Sequence, residues 1–220
     1  MQQTAIPYTD IPLFSEIRPE DLEVMLHCLK SYRRTFAKGE VVILDQDKVP
    51  YFGVVLSGCI HMMKEDIWGG QTLLSYMNPG ELLGETFALR KENSSHVSFI
   101  AAKNSEILFI SSYHILHTCQ RGCSFHQQIT QNMFDLLGEK NIGLMEKIEI
   151  TSKPTLREKI LAFLSLQAQK QESKYITLPL SRVEMANYLS TNRSSMTREL
   201  AAMRDEGILD FDKNTFILKK

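Results

Sequence analysis

Arg193, Ser194, Thr197 and Arg198 are the residues whose types and spacing point most directly to chemistry. Their offsets return to one side of a helix every three or four residues, so two guanidinium groups and two hydroxyls share a face. A guanidinium donates two parallel hydrogen bonds to O6 and N7 of guanine, and hydroxyls bond bases or phosphates. That is nucleic-acid reading rather than bond making. A second set, His114-x-x-His117-x-Cys119-x-x-x-Cys123-x-x-His126, gathers five nitrogen or sulfur donors in thirteen residues. It could hold a metal or form a thiol switch, although its spacing matches no standard zinc pattern. Cysteine is also a common small core residue, and the structural reading of this set is the favoured one.

The first set requires a helix-turn-helix, and residues 180–204 supply it. Ser181 and Glu184 form an S-x-x-E capping box at the start of a first helix. Met185, Tyr188 and Leu189 give that helix a buried face, and Ala186 is small enough for a close helix crossing. Ser190-Thr191-Asn192 is the turn, with Asn192 as N-cap of the second helix. Met196, Leu200 and Met203 face the core there, and Gly207 stops the helix. The expected DNA contacts are Ser181, Arg182, Arg193, Ser194, Ser195, Thr197 and Arg198. The runs 208–211 and 215–218, around Asp212-Lys213-Asn214, predict a β-hairpin wing that ends in Lys219-Lys220, suited to phosphates.

Charge follows this division. Residues 1–150 hold 13 Lys+Arg against 18 Asp+Glu (net −5), and residues 151–220 hold 12 against 8 (net +4), which together make the chain's −1. Basic character thus collects around the helix-turn-helix, but an excess of four charges is modest and calls for two copies of the domain. The 220 residues suit two domains. The sequence shows neither a signal-type segment nor an apolar run of membrane length. Four scattered cysteines (Cys28, Cys59, Cys119, Cys123) are no disulfide framework, so a cytoplasmic protein with reduced thiols and no membrane association is expected.

Upstream, a helix is predicted from Pro19 to about Leu29. Short β-rich runs at 41–44, 52–56, 59–63, 72–76, 97–101 and 107–110 then alternate with glycine turns, which indicates an antiparallel barrel or jelly roll. From Phe125 to Glu149, apolar residues Phe125, Ile129, Met133, Leu136, Leu137, Leu144 and Ile148 predict a long helix of roughly 38 Å. One face would seam a parallel dimer and another would dock on the barrel. Gly138 and Gly143 weaken this helix, and Thr151-Ser152-Lys153-Pro154 ends it as a hinge. The fold class is therefore α+β: an N-terminal double-stranded β-helix or jelly-roll sensor (1–123), a dimerisation helix (124–150) and a C-terminal winged helix-turn-helix (151–220).

This order of parts resembles the Crp/Fnr family of bacterial transcription regulators. The resemblance rests on Phe36-x-Lys38-Gly39-Glu40, Tyr51-x-x-Val54-x-x-x-Gly58, Pro79-Gly80-Glu81-Leu82-Leu83-Gly84-Glu85 and the helix-turn-helix, in family order. It implies a homodimer under allosteric control on a two-fold symmetric operator with half-sites about 34 Å apart. RNA polymerase is a further implied partner if the output is activation. Family members often read bases with a Glu where this chain has Ser194, followed one turn later by an arginine, here Arg198. Serine cannot accept from cytosine N4 as a carboxylate does, so an operator different from the usual family half-site is expected. Ser190 stands where the turn often has glycine.

The resemblance also names inputs. In cyclic-nucleotide sensors a Gly-Glu pair, here Gly84-Glu85, holds the ribose, and an Arg followed by Ser or Thr holds the phosphate. The phosphate positions here are Ser95 and His96, and losing arginine's fork argues against cyclic AMP. An iron–sulfur cluster needs several N-terminal cysteines, and only Cys28 lies there. Histidines are available for haem, but no residue specifically recommends it. A small organic effector or anion stays open, with Gly84, Glu85, Thr86, Arg90, Ser95 and His96 as candidate pocket residues. Two alternatives remain beside it: a constitutive regulator with a degenerate sensor, and a metal- or thiol-responsive one. A cupin-like metalloenzyme would need convergent His61, His96, His114 or His117, and no nucleophile–base motif or phosphate loop accompanies them, so no enzymatic activity is expected.

Overall fold

A computed structural model describes residues 5–117, 123–178 and 180–219, without the side chains of Gln71 and Ser124. Cys119 and Lys220 therefore lie outside the described residues. The chain forms two compact units, residues 1–139 and 140–220.

The first unit opens on 3-10 turns at Tyr8–Asp10 and Pro12–Phe14, followed by α1 (Pro19–Cys28) with Pro19 at its first position. The strands are β1 (Tyr32–Phe36), β2 (Val41–Ile43), β3 (Tyr51–Ser57), β4 (Ile60–Glu65), β5 (Gln71–Met77), β6 (Leu82–Leu83), β7 (Ser98–Ala101) and β8 (Ser105–Ser111). They pair antiparallel in two four-stranded sheets, β1-β8-β3-β6 and β2-β7-β4-β5. This is the expected jelly-roll-like sensor. Its core holds Phe52, Val54, Leu56, Ile60, Phe99 and Ile107 together with Leu13, Phe14 and Met25 of the N-terminal segment. Short helices α2 (Glu85–Ala88) and α3 (Ser112–Leu116) flank β7 and β8 in sequence.

Three of the sensor's turns close by the same chemistry. The carboxylates of Glu40, Asp47 and Glu81 each accept from the backbone amide three residues earlier, at Ala37, Leu44 and Asn78. Gly58 is required by contact as well as by φ (+90°): a Cβ there would sit 2.5 Å from the Asn104 carbonyl.

Helix α4 runs from Ser124 to Thr151. Phe125, Ile129 and Met133 are buried in the first unit's core, while Phe134, Ile142, Leu144, Met145 and Ile148 are exposed. Asn132 is buried and donates both amide hydrogens to the N-terminal segment, to the carbonyls of Leu13 (3.0 Å) and Ser15 (2.7 Å). The units divide at 139/140, inside α4 and beside Gly138. The physical reason lies in the last turns of α4. Glu146 pairs with Lys170, and the Lys147 ammonium lies 4.9 Å over the Tyr188 ring, so these turns belong with the C-terminal unit. The Thr151–Pro154 segment interrupts the helix without separating the bodies.

The second unit continues with α5 (Leu156–Lys170), β9 (Tyr175–Thr177), α6 (Arg182–Tyr188), α7 (Arg193–Asp205), β10 (Leu209–Asp212) and β11 (Thr215–Leu218), its sheet ordered β10-β11-β9. Ile160, Phe163, Leu164, Ile176, Met185, Leu189, Met196, Leu200, Met203 and Phe216 are buried in it. Among the described residues no helix is long and apolar enough to cross a membrane.

Candidate nucleic-acid interface and sensor pocket

Local chemistry sets α6 and α7 as the sequence predicts. The Ser181 hydroxyl accepts from the Glu184 amide and the Glu184 carboxylate accepts from the Ser181 amide, completing the capping box. Ser190 then adopts φ +53°, a left-handed conformation that costs a non-glycine residue about 1 kcal/mol. Asn192 caps α7 by accepting from the Ser195 amide at 2.8 Å. Met196, Leu200 and Met203 are at most 1 % exposed, so packing fixes the rotation of the helix. The opposite consequence is that Arg193, Ser194, Thr197 and Arg198 are all exposed. Local bonds organise this face: Ser194 donates to Asn192 Oδ1 (2.8 Å), Thr197 donates to the Arg193 carbonyl (2.8 Å), and an Arg198 Nη lies 3.5 Å from the Ser195 hydroxyl. Both hydroxyls keep lone pairs for an incoming donor.

The wing is present as β10–β11, with Asp212 opposite Thr215 and Lys213 at its turn. Arg182, counted above among the DNA contacts, is placed differently. Its guanidinium lies over Phe211 and Phe216 and donates to the Lys213 carbonyl, and burial pulls it below the usual arginine range. It is half-buried beneath the wing, and one of its Nη atoms is engaged inside the domain. Lys219 pairs with Asp210 at 3.0 Å, so its charge is also partly answered within the wing.

Behind α7, Arg157 of α5 binds Glu199 through Nε (2.6 Å) and Glu206 through both Nη atoms (2.6 and 2.8 Å). The two-pronged bond to Glu206 holds that carboxylate below its ordinary range. Because Glu199 and Glu206 flank the buried side of α7, this fork braces the helix against rotation.

Comparison with known proteins decides what this assembly is. Residues 33–121 match the cyclic nucleotide-binding domain family and residues 158–220 match the Crp-like helix-turn-helix domain. The cyclic AMP receptor protein of Thermus thermophilus is 24 % identical over 207 residues, covering 93 % of this chain and 90 % of that one. The chain belongs to the Crp/Fnr family of DNA-binding transcription regulators. The fold is shared with the c-di-GMP responsive global regulator CLP of Xanthomonas campestris (TM-score 0.70, 20 % identity, 92 % of this chain and 100 % of that one). It is shared too with a CooA variant from Carboxydothermus hydrogenoformans (TM-score 0.70, 16 % identity, 100 % and 93 %). Members of the Crp/Fnr family are regulators and not enzymes.

The candidate pocket residues divide sharply by environment. Gly84 takes φ +76° and Glu85 is 2 % exposed at the start of α2, its carboxylate 3.4 Å from the Thr86 hydroxyl. Thr86, Arg90 and His96 are exposed. Ser95 is fully buried and its hydroxyl is spent on its own turn, donating to the Val97 carbonyl at 2.6 Å and accepting from the Val97 amide. The His96 ring meets Phe87 edge-on, and its carbonyl accepts from the Lys64 ammonium at 2.7 Å. Lys64 also binds Asp45 at 2.8 Å and holds that carboxyl below its usual range. The two family phosphate positions therefore carry a turn-closing hydroxyl and a backbone carbonyl. The cation beside them is committed to Asp45.

The described members of the His/Cys set do not gather into a metal site. Among the described residues no three His, Cys, Asp or Glu side chains converge as a metal site. His114 Nδ1 pairs with the Ser111 hydroxyl, and His117 stacks on Tyr113 at 4.1 Å with Nδ1 on the Tyr113 carbonyl. His126 is buried with Nε2 3.8 Å from the Cys28 thiol, and burial, followed by the neighbouring His114, lowers its pKa. Cys123 is half-buried and packs against the apolar core. The convergence of histidines required by the metalloenzyme alternative is likewise not seen among the described residues.

Three structural contributors escape the sequence reading: Arg157, Lys64 and Asn132. Arg157 had a signal, because the capping box Thr155-x-x-Glu158 announces α5. Lys64 and Asn132 bond to residues 19 and 119 positions away, which no local pattern encodes.

Proposed function

We propose that this Crp/Fnr regulator acts in the bacterial cytoplasm as a homodimer that binds a two-fold symmetric operator through α7. Control comes from the β-roll, and the input is not cyclic AMP. The observation that carries the reading is the exposed face Arg193, Ser194, Thr197 and Arg198 on a helix whose other side is locked by Met196, Leu200 and Met203. Support for the dimer comes from α4, where Phe134, Ile142, Met145 and Ile148 leave large apolar side chains 51–67 % exposed. Gly138 falls midway between Phe134 and Ile142 and nothing lies within 4 Å of its missing Cβ, which gives a second helix room for close approach. The expected input change acts through different affinity for two arrangements of the dimer. The two weakly helical glycines, 138 and 143, lie beside the unit boundary and are a better pivot than Thr151–Pro154.

The cyclic AMP exclusion is supported by Ser95 and Lys64, whose polar atoms are already engaged. Micromolar binding of a cyclic nucleotide by calorimetry would overturn it. RNA polymerase is the second partner if the regulator activates. Operator selection from random duplexes tests the main reading. Paired half-sites about 34 Å apart, with a consensus unlike the family's usual one, are expected. Recovery of that usual consensus, or no enriched sequence, would contradict it.

A further inference from the structure

Arg182 is the first residue of α6, yet its side chain ends on the wing. Nη2 donates to the Lys213 carbonyl at 2.6 Å, while Cζ lies 4.4 Å from the Phe216 ring centre and 4.8 Å from that of Phe211. Those rings are cross-strand partners of the β10–β11 hairpin, and Arg204 of α7 lies 5.0 Å over Phe211 as well. Lys213 occupies the turn with φ +47°, a left-handed conformation that disfavours any side chain. The bond from Arg182 therefore lands on the strained residue itself. A planar guanidinium can stack on rings and donate in its own plane at once; an ammonium cannot. Lys213 is exposed at the wing tip, whereas the charge of Arg182 sits beneath the wing.

We propose that Arg182 is a positioning residue for DNA recognition that acts through Lys213, holding the wing tip beside the helix-turn-helix so that the Lys213 ammonium meets a backbone phosphate at a set distance from α7. The inference rests on the operator reading above. It separates two arginines that look alike in sequence: Arg198 faces the DNA, and Arg182 faces the protein.

The test compares wild type, Arg182→Lys, Arg182→Met, Lys213→Ala and the double variant Arg182→Met/Lys213→Ala on the selected operator over a salt series. Amide exchange at 213–215 is followed in the free protein. Loss of one phosphate contact per protomer, two in the dimer, flattens the salt slope by about 1.8, or about thirtyfold in affinity at 0.15 M salt. That loss is expected in Lys213→Ala and in both Arg182 variants, with no further loss in the double variant. The wing-turn amides should exchange at least about tenfold faster in both Arg182 variants, the sign of a released turn. Full affinity in Arg182→Lys, or additive losses in the double variant, would make Arg182 a phosphate ligand in its own right and overturn the proposal. Unchanged exchange overturns it alone. A wild type that selects no operator overturns the DNA reading and this proposal together.

Discussion

Ser194→Glu restores the acidic reader common in the family and isolates what this position does. Ser194 is the second residue of α7, exposed, and its hydroxyl donates to Asn192 Oδ1 at 2.8 Å. Replacing it forfeits a hydrogen bond worth about 0.5–1.5 kcal/mol. A carboxylate in the first helical turn returns about 0.3–1 kcal/mol through the helix dipole. The cap itself survives, because Asn192 still accepts from the Ser195 amide. Folding stability should thus move by less than about 1 kcal/mol, so a change in DNA binding reports recognition. At the base edge, glutamate accepts from cytosine N4 and serine does not do so with charge. The wild-type operator should be weakened by about 1–3 kcal/mol per half-site, about 2–6 kcal/mol for the dimer, with a new cytosine preference at one position of each half-site. Parallel selection on random duplexes at one salt concentration measures this, together with a denaturant midpoint for each protein. If both proteins enrich the same half-site with equal affinity, Ser194 does not face a base and the placement of α7 is wrong.

Other expectations concern the frame. His126 is held neutral by burial, so the folded state binds fewer protons than the unfolded chain, whose histidines titrate near about 6.5. Stability from this residue is complete above that pH and is lost as pH falls through it toward the lower folded value. His126→Gln should therefore flatten the decline in urea midpoint between pH 7.5 and 5, and an unchanged slope would count against the buried neutral imidazole. At the helix-turn-helix corner, Ser190→Val should cost about 1–2 kcal/mol, because a β-branched side chain is poorly tolerated at φ +53°. Ser190→Gly should be neutral or gain up to about 1 kcal/mol, since relief of the conformation offsets glycine's entropy. Equal midpoints for valine and glycine would deny the left-handed turn.

Local codes were the legible part. The Ser181–Glu184 box, the Asn192 cap and the spacing of Met196, Leu200 and Met203 each act within a few residues, so the recognition helix and its exposed face could be read directly. Strand β1 could not: Tyr-Arg-Arg-Thr-Phe lacks an apolar alternation and exists as an edge strand because β8 pairs with it, with Arg33 on Glu106 and Tyr32 stacked on Phe109. Arg182 shows the same limit at the site. Its position beside Ser181 suggested a DNA contact, and only the folded wing brings Phe211, Phe216 and the Lys213 carbonyl to it. The His/Cys set shows this limit too, since His114, His117 and His126 lie close in sequence but bond to different partners. The division of α4 was hidden too, because Lys170 and Tyr188 claim its last turns from far along the chain.

The most direct test of sequence-specific recognition by α7 is Arg198→Ala, measured as the ratio of operator affinity to random-duplex affinity with the fold verified by circular dichroism. Arg198 is exposed and tethered only loosely toward Ser195 at 3.5 Å, so its removal should leave the domain intact. The ratio should fall by about 1–3 kcal/mol per half-site, about 2–6 kcal/mol for the dimer, the worth of one guanidinium on guanine in each half-site. An unchanged ratio would contradict it.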